Sequence, residues 1–144
     1  FPNLKITLVD SLNKRIVFLQ EVIDKLELKN IEVIHARAEE YAVNNREKFD
    51  VVTARAVAHL SILLEYSMPL VKINKYFIAM KANIKEEIEK NKNALNLLSS
   101  IISDKKIFLL PYEESTRSLI KIKKEKITNK QYPRKYSEIS KNKL

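Results

Sequence analysis

The chain has 144 residues, of which 45% are hydrophobic and 31% are charged, which excludes a disordered chain and an integral membrane protein. The 27 lysines and arginines outnumber the 18 acids, giving a net charge of +9, and no cysteine is available for a disulfide, a thiolate metal site or a nucleophile. We therefore expect one cytoplasmic domain with a hydrophobic core.

The first predicted element is a buried strand, because β-branched and aliphatic residues fill nearly every position of Leu4–Val9. The strand ends in a carboxylate, Asp10, and Ser11 is predicted to cap the helix that follows. That helix places its apolar residues on one stripe, at Ile16, Leu19, Val22 or Ile23, and Leu26.

Strands and helices alternate through the middle of the chain. After the first helix come a strand at "NIEVIHA", a short helix or turn at "RAEEYAVNNREK", a strand at "FDVVTARA", a helix that stops near Pro69, a strand at "KYFIAMKA" and a helix from about Ile84 to Leu98. This alternation is typical of βαβ units and predicts an α/β fold with a mostly parallel sheet.

The end of the chain has a different pattern. "KKIFLLP" and "SLIKIKKEK" are predicted to be two strands joined by the polar loop "YEEST", with no helix between them. Such a pair forms an antiparallel hairpin, so we expect one antiparallel strand at the edge of the sheet. After Ile127 we expect an extended basic tail, residues 128–144.

Almost all of the excess positive charge lies at the C-terminal end. Residues 117–144 contain ten lysines and arginines and two glutamates, whereas residues 1–116 contain 17 basic and 16 acidic residues. Such a basic segment indicates a phosphate-rich partner. A solubilising tail would explain the charge equally well.

The chain contains no glycine, although average usage of about 7% predicts roughly ten in this length. A doubly wound nucleotide-binding fold begins with a strand and a glycine-rich loop. Neither precedes the strand that ends at Asp10, so we expect the first strand and glycine loop of such a fold to be missing from these residues.

The ends of three strands carry candidate ligand-binding residues, since ligands of open α/β sheets bind beyond the carboxyl ends of the strands. Asp10 either accepts hydrogen bonds from ribose hydroxyls or caps a helix. A base of the same ligand would lie near Ala38 and Glu39, although acids also favour the first turn of a helix. Arg55 either pairs with a carboxylate or faces the ligand. The two histidines, His35 and His59, are assigned no role.

Six segments occur in an order and at a spacing that resemble one protein family. They are "VDSLNKRIVFL", "HARAEE", "FDVVTARAVA", "MPLVK", "YFIAMKA" and "YPRK". Together they resemble the bacterial ribosomal RNA small subunit methyltransferase G family, also called GidB, from Phe1 to about Lys135.

The resemblance implies a Rossmann-like class I methyltransferase fold that uses S-adenosylmethionine and methylates N7 of one guanosine in 16S ribosomal RNA. By their positions in the motifs, the expected cofactor-binding residues are Asp10, Ala38, Glu39 and Arg55. The basic residues expected to face the RNA are Lys81, Arg117, Arg134 and Lys135. The implied partner is 16S ribosomal RNA or the small ribosomal subunit, and we expect a monomer that does not associate with membranes.

The family's N-terminal helices and glycine-rich loop would precede Phe1, so residues 1–127 correspond to a partial S-adenosylmethionine-dependent methyltransferase domain and residues 128–144 to a basic tail. "KINKYF" has Lys75 where relatives usually carry glycine, and "YSEISKNKL" lacks the Gly-Pro pattern that usually follows "YPRK".

Methyl transfer to guanine N7 is compatible with a chain that has no catalytic triad and no metal-ligand spacing. N7 carries a lone pair and no proton, so no general base is needed, and positioning alone can supply roughly 7–11 kcal/mol. We therefore expect no dedicated catalytic residue and no metal.

Two tyrosines lie on either side of "PRK". Tyr132 and Tyr136 either stack on unpaired bases or pack the tail against the sheet, with packing favoured for Tyr132. The functions that compete with methyl transfer are a non-catalytic RNA-binding module and a nucleotide-dependent oxidoreductase of the same fold, the second of which explains Asp10 but not "YPRK".

Overall fold

The computed structural model describes residues 1–55, 58–82, 85–113 and 115–144. Within these residues the elements are, in chain order, β1 (Ile6–Asp10), α1 (Asn13–Lys25), β2 (Ile31–His35), α2 (Ala38–Asn44), β3 (Phe49–Arg55), α3 (Leu60–Ser67), β4 (Val71–Lys81), α4 (Lys85–Lys90), α5 (Lys92–Leu97), β5 (Ser100–Leu109), β6 (Thr116–Lys124) and α6 (Tyr136–Lys141). The predicted α/β alternation is confirmed.

Two pairs of parallel strands bring strand ends together. β1 pairs with β2, so that Asp10 lies opposite His35. β3 pairs with β4, so that Arg55 lies opposite Met80, one residue before Lys81. Each pair is joined through a helix, as parallel neighbours require. Asp10 and Arg55 therefore each end a parallel strand, the position at which open α/β sheets bind ligands.

The C-terminal hairpin completes a four-stranded sheet in the order β3-β4-β6-β5. β6 is antiparallel to both of its neighbours, which confirms the hairpin. The prediction that the antiparallel strand lies at the edge was wrong, because β6 is internal and β5 forms the edge. Ser118, Ile120 and Ile122 of β6 are buried, whereas β5 exposes charged residues at Asp104, Lys105 and Lys106, which suits an edge strand.

The core lies between α3, α5 and the four-stranded sheet. Its buried members are Leu60, Leu63, Leu64, Met68, Val71, Phe77, Ala79, Ala94, Leu95, Leu98, Ile120, Ile122 and Tyr132. α3 is buried along most of its length, and it ends at Ser67, close to the predicted stop. By contrast, α1, which is described throughout, buries only Ile23. None of the described helices combines the length and the apolar character needed to cross a bilayer.

The start of α1 differs from the prediction. The N-cap residue is Leu12 rather than Ser11, and no side chain caps the helix in the usual way. Instead, Asp10 Oδ1 accepts a hydrogen bond from the Leu12 backbone N–H at 2.8 Å. The carboxylate thus forms an Asx-type turn over residues 10–12, directly before the helix, in place of a serine cap.

The predicted helix from Ile84 to Leu98 is two helices, α4 and α5, and Ile84 itself lies outside the described residues. The break is at Asn91, which is buried and donates a side-chain hydrogen bond to the Glu87 carbonyl oxygen. An asparagine amide competes in this way with the backbone hydrogen bonds of a helix, so the apolar spacing alone did not reveal the interruption.

The basic tail is folded against the domain, so the prediction of an extended tail was wrong. Thr128, Tyr132 and Ile139 are buried, and the tail ends in α6. The Arg46 guanidinium donates hydrogen bonds to the carbonyl oxygens of Thr128 and Tyr132. These contacts hold residues 128–141 to the domain although the tail is strongly basic, and the preference for packing of Tyr132 is confirmed.

Candidate functional site

Asp10 is held in one orientation by two neighbours, Leu12 and Arg15. Oδ1 accepts the Leu12 N–H, and Oδ2 lies 3.2 Å from the Arg15 guanidinium. Its register neighbour His35 lies 3.1 Å from the Ser11 carbonyl oxygen through Nε2, which must be the donor. Desolvation opposes ionisation of Asp10, but the hydrogen bonds from Leu12 and Arg15 outweigh it and lower the pKa of the carboxyl below 3.8. A permanent negative charge is therefore fixed at the end of β1, while the ribose contact stays a prediction.

Glu39 is the most unusual acid in the described part of the chain. The residue is 6% exposed, and its Oε1 is buried without a hydrogen-bond partner. The nearest cation is Arg37 Nη1 at 3.8 Å, too far for a hydrogen bond. A buried carboxylate oxygen without a donor costs free energy unless a ligand supplies one. The amine or hydroxyl groups of an adenosyl ligand are donors of this kind, so this residue fits the implied cofactor.

The charge of Glu39 acts on the hydroxyl group of Tyr66, which stays protonated. Burial, followed by the charge of Glu39, raises the pKa of Tyr66 to about 12, so its hydroxyl stays neutral at physiological pH. Ala38, the other predicted contact, is the first residue of α2, and no side chain caps that helix. Ala38 is half-buried, and its contact with an adenosyl group stays a prediction.

The end of β3 carries an unpaired guanidinium. Arg55 is exposed, and no carboxylate among the described residues lies within ion-pair distance of it. The described residues therefore show no ion pair for Arg55, and the other interpretation, that Arg55 faces the ligand, stays a prediction. The next residues of the motif, Ala56 and Val57, lie outside the described residues.

Lys81 is tied to a cluster that the sequence did not predict. Its Nζ donates to the Ala58 carbonyl oxygen at 2.9 Å and lies 3.0 Å from Glu87 Oε1. The same carboxylate oxygen lies 3.5 Å from His59 Nδ1. His59 was assigned no role in the sequence analysis. The contact could not be predicted from sequence spacing, because α3 and most of β4 lie between His59 and Lys81, and Glu87 is on the next helix, α4.

The four predicted RNA-facing residues are in different states. Lys135 is exposed, and Arg117 is 40% exposed with Glu113 at 4.0 Å. Lys81 is engaged internally, and Arg134 makes a buried ion pair with Glu65 at 2.8 Å. The hydrogen bonds that Arg134 donates to Glu65 raise the pKa of the guanidinium, so Arg134 stays charged.

Asp10 and Arg55 end strands of different sheets, and no hydrogen bond or ion pair of the described residues joins Asp10, Glu39 and Arg55. Two surface cavities of about 160 and 280 Å³ lie elsewhere, beside α5 and β5, where Asn96, Ser100 and Ile101 line both. Neither cavity is lined by a candidate residue. No group of histidines and acids in the described segments is arranged to hold a metal ion.

Comparison with known proteins places the sequence in one family. The sequence profile of the GidB family, described as rRNA small subunit methyltransferase G, matches residues 1–117. Ribosomal RNA small subunit methyltransferase G of Acetivibrio thermocellus is 51% identical over 146 positions, covering 100% of this chain and 60% of that protein. The protein of the same name from Oceanobacillus iheyensis is 54% identical over 138 positions, covering 94% and 58%. The chain thus spans 58–60% of the length of these relatives.

Solved structures confirm the fold. TYW2 of M. jannaschii, in complex with AdoMet, superposes with a TM-score of 0.65 at 16% identity, covering 83% of this chain and 58% of that one. A SAM dependent methyltransferase from Aquifex aeolicus superposes with a TM-score of 0.60 at 14% identity, covering 82% and 68%. The predicted Rossmann-like methyltransferase fold is therefore confirmed.

Proposed function

The chain belongs to the ribosomal RNA small subunit methyltransferase G family, and on that premise we propose that it forms part of an S-adenosylmethionine-dependent enzyme that methylates guanine N7 in 16S ribosomal RNA. The proposal implies a cytoplasmic protein that acts on the small ribosomal subunit, and we propose that it does so as a monomer.

The observation that carries the proposal is the unpartnered oxygen of Glu39. A carboxylate that is only 6% exposed and lacks a donor is costly in a protein that binds nothing there. The resemblance assigns the adenosine side of the cofactor to this residue and to Ala38. An adenosyl group would supply the missing donor, so binding would remove a cost that the free protein carries.

Two charged residues would orient the rest of the cofactor. Asp10, ionised and fixed by Leu12 and Arg15, is suited to accept from ribose hydroxyls. Arg55, exposed and unpaired among the described residues, is suited to a carboxylate or to the edge of a base. When bound, S-adenosylmethionine supplies an activated methyl group on a sulfonium.

The chain itself has little chemistry to perform in this reaction. Guanine N7 has no proton to remove, so the protein needs to hold the acceptor in line with the methyl group and to exclude competing geometries. In such a reaction the protein would need neither a nucleophile nor a metal ion, and the described residues contain no group of histidines and acids that could hold a metal ion.

The four basic residues would have two different roles in RNA binding. Exposed Lys135 is suited to contact phosphates directly. The Arg117 side chain is 40% exposed and, among the described residues, donates only to the carbonyl oxygen of its neighbour Thr116, so it is suited to the same role. Lys81 and Arg134 already donate to protein acceptors, so we propose that they support the surface rather than bind phosphate.

The test is calorimetry with S-adenosylmethionine together with transfer of a labelled methyl group to small ribosomal subunits. We expect Glu39→Gln to lower cofactor affinity about tenfold or more, since a hydrogen bond to a charged group is worth roughly 1.5–3 kcal/mol. The melting temperature should change little, because Glu39 Oε1 accepts no hydrogen bond from the described residues and its ion pair with Arg37 is long, at 3.8 Å. Glu40→Gln is the matched control, since Glu40 is the exposed neighbour on α2. Unchanged affinity in Glu39→Gln would contradict the assignment.

A non-catalytic RNA-binding module is the second candidate, favoured by the basic segment at residues 117–144 and by the exposure of Lys135 within it. The same calorimetry separates the two. RNA binding without any binding of S-adenosylmethionine supports the module, and binding of both supports the enzyme.

A further inference from the structure

The tail and the start of α2 meet at one stacked pair of side chains. The Arg37 guanidinium carbon lies 4.9 Å from the centroid of the Tyr136 ring, although the two residues are far apart in sequence. Arg37 is the N-cap residue of α2 and directly precedes Ala38 and Glu39. Tyr136 is the first residue of α6. The pair therefore joins the predicted cofactor-binding segment to the predicted RNA-binding segment.

The side chains of Arg37 and Tyr136 are more exposed than expected of a contact whose role is to hold the tail against the domain. The Arg37 side chain is 51% exposed and Tyr136 is 53% exposed. An exposed cation–π contact contributes only about 0.5–1 kcal/mol, and α6 is already anchored by the buried Ile139 and by the ion pair between Arg134 and Glu65. Stabilisation of the tail is thus supplied elsewhere, and a large aromatic and guanidinium surface is left facing solvent.

The base of this surface is rigid. Arg134 donates to Glu65 from its backbone N–H and from two guanidinium nitrogens, all at 2.8–2.9 Å, and Glu65 is 1% exposed. Lys135 lies between this anchor and Tyr136 and is exposed. An aromatic ring and a guanidinium plane held at fixed positions, with an exposed lysine beside them, provide both of the features used to bind single-stranded RNA, which are stacking surface and phosphate neutralisation.

The charge of the surrounding segment supports the same ligand. Residues 128–144 contain five basic residues and one glutamate. The Arg134 charge is neutralised by Glu65. The Arg37 guanidinium stacks on the ring and lies 3.8 Å from Glu39 Oε1, and Lys135, which precedes the ring in sequence, is exposed. Glu138 and Glu40 are the exposed acids on the two helices. We infer that Arg37 and Tyr136 form a stacking site for one unpaired base of an RNA, beside the cofactor segment. This inference rests on the proposed function, because it assumes an RNA substrate.

The experiment measures binding of a short single-stranded oligoadenylate, with one 2-aminopurine, and of an oligonucleotide of the same length in which that position is abasic. We expect Tyr136→Ala to weaken binding of the base-containing RNA roughly 5- to 150-fold, equivalent to about 1–3 kcal/mol at ~1.4 kcal/mol per tenfold, and to abolish quenching of the 2-aminopurine. Binding of the abasic RNA should be unchanged, and Tyr136→Phe should bind both as the wild type does.

Phe18→Ala is the matched control, since Phe18 is an equally exposed aromatic ring, 62% exposed, on α1. Urea unfolding of each variant shows whether the tail is still folded. Equal affinity of wild type and Tyr136→Ala, with the wild type binding RNA, would overturn the stacking site and leave the proposed function intact. A wild type that binds no RNA at all would overturn both. Loss of S-adenosylmethionine affinity in Tyr136→Ala would assign the ring to the adenine of the cofactor and would also overturn the inference.

Discussion

Glu65 and Arg134, 69 positions apart, form a three-bonded ion pair in which the carboxylate is almost fully buried. The pair joins the central helix of the core to the basic tail. Burying one carboxylate without its partner costs far more than burying the pair, so the two residues depend on each other.

This dependence predicts a loss of stability from either side of the pair. We expect Glu65→Gln to lower the free energy of unfolding by roughly 2–3 kcal/mol, less than the 3–5 kcal/mol typical of fully buried pairs because 21% of the Arg134 side chain is exposed. Urea unfolding measures the change, and Glu138→Gln, on the exposed side of α6, is the control. Equal stabilities of the two variants would show that the pair contributes nothing.

Arg55 is expected to affect binding rather than stability. It is exposed, and no described carboxylate pairs with it, so Arg55→Ala should weaken binding of S-adenosylmethionine while leaving the melting temperature nearly unchanged. Calorimetry and thermal unfolding measure the two quantities, with Lys106→Ala on the exposed edge strand as the control. A large drop in melting temperature with unchanged affinity would indicate a structural role instead.

Lys135 and Arg134 should differ in the salt dependence of RNA binding. Lys135→Ala removes an exposed charge and should reduce the slope of log affinity against log salt by about 0.7–0.9 for each phosphate that the lysine had neutralised. Arg134→Ala should change the slope less, since Glu65 already neutralises its charge, and should instead destabilise the protein. A larger change in slope for Arg134→Ala than for Lys135→Ala would contradict this division of roles.

Asp10 gives a pH dependence of stability with a definite sign. Its folded-state pKa lies below the ordinary value of 3.8, so the native state binds fewer protons than the unfolded state in that range. Its contribution is fully present above that ordinary value and is lost as pH falls through the lower folded value. The stability difference between wild type and Asp10→Asn should therefore shrink in that acidic window and stay constant near neutrality, as urea unfolding at a series of pH values would measure.

The control is the same comparison in an Arg15→Ala background, in which the loss of stability should begin at the same pH and be smaller. A difference that grows on acidification would refute the assignment.

The strands were predictable because each is a compact apolar run. Ile6–Asp10 and Phe49–Arg55 were visible in the sequence, and so were the acid and the arginine at their ends. What the sequence concealed depends on contacts between distant residues. The break at Asn91 comes from one side-chain hydrogen bond, which apolar spacing does not record.

The folded tail was concealed by its composition. Charge dominates residues 128–144, yet Tyr132 and Ile139 are buried within it. One signal was available: Glu65 is the single charged residue between Leu60 and Leu70, in a helix that is otherwise apolar or neutral. An acid in such a helix requires a partner from elsewhere in the chain, and the arginine of "YPRK" provides it.

The outer strand of the sheet has a consequence for how molecules of this protein behave in a crowded solution. β5 exposes Lys105 and Lys106 beside a register irregularity between Ile102 and Asp104. Two copies that approached along this strand would have to pair across the lysines and the irregular register, which opposes extension of the sheet from one copy to the next. The edge strand β5 thus opposes aggregation through strand pairing between molecules, and an apolar substitution of both lysines would remove that protection.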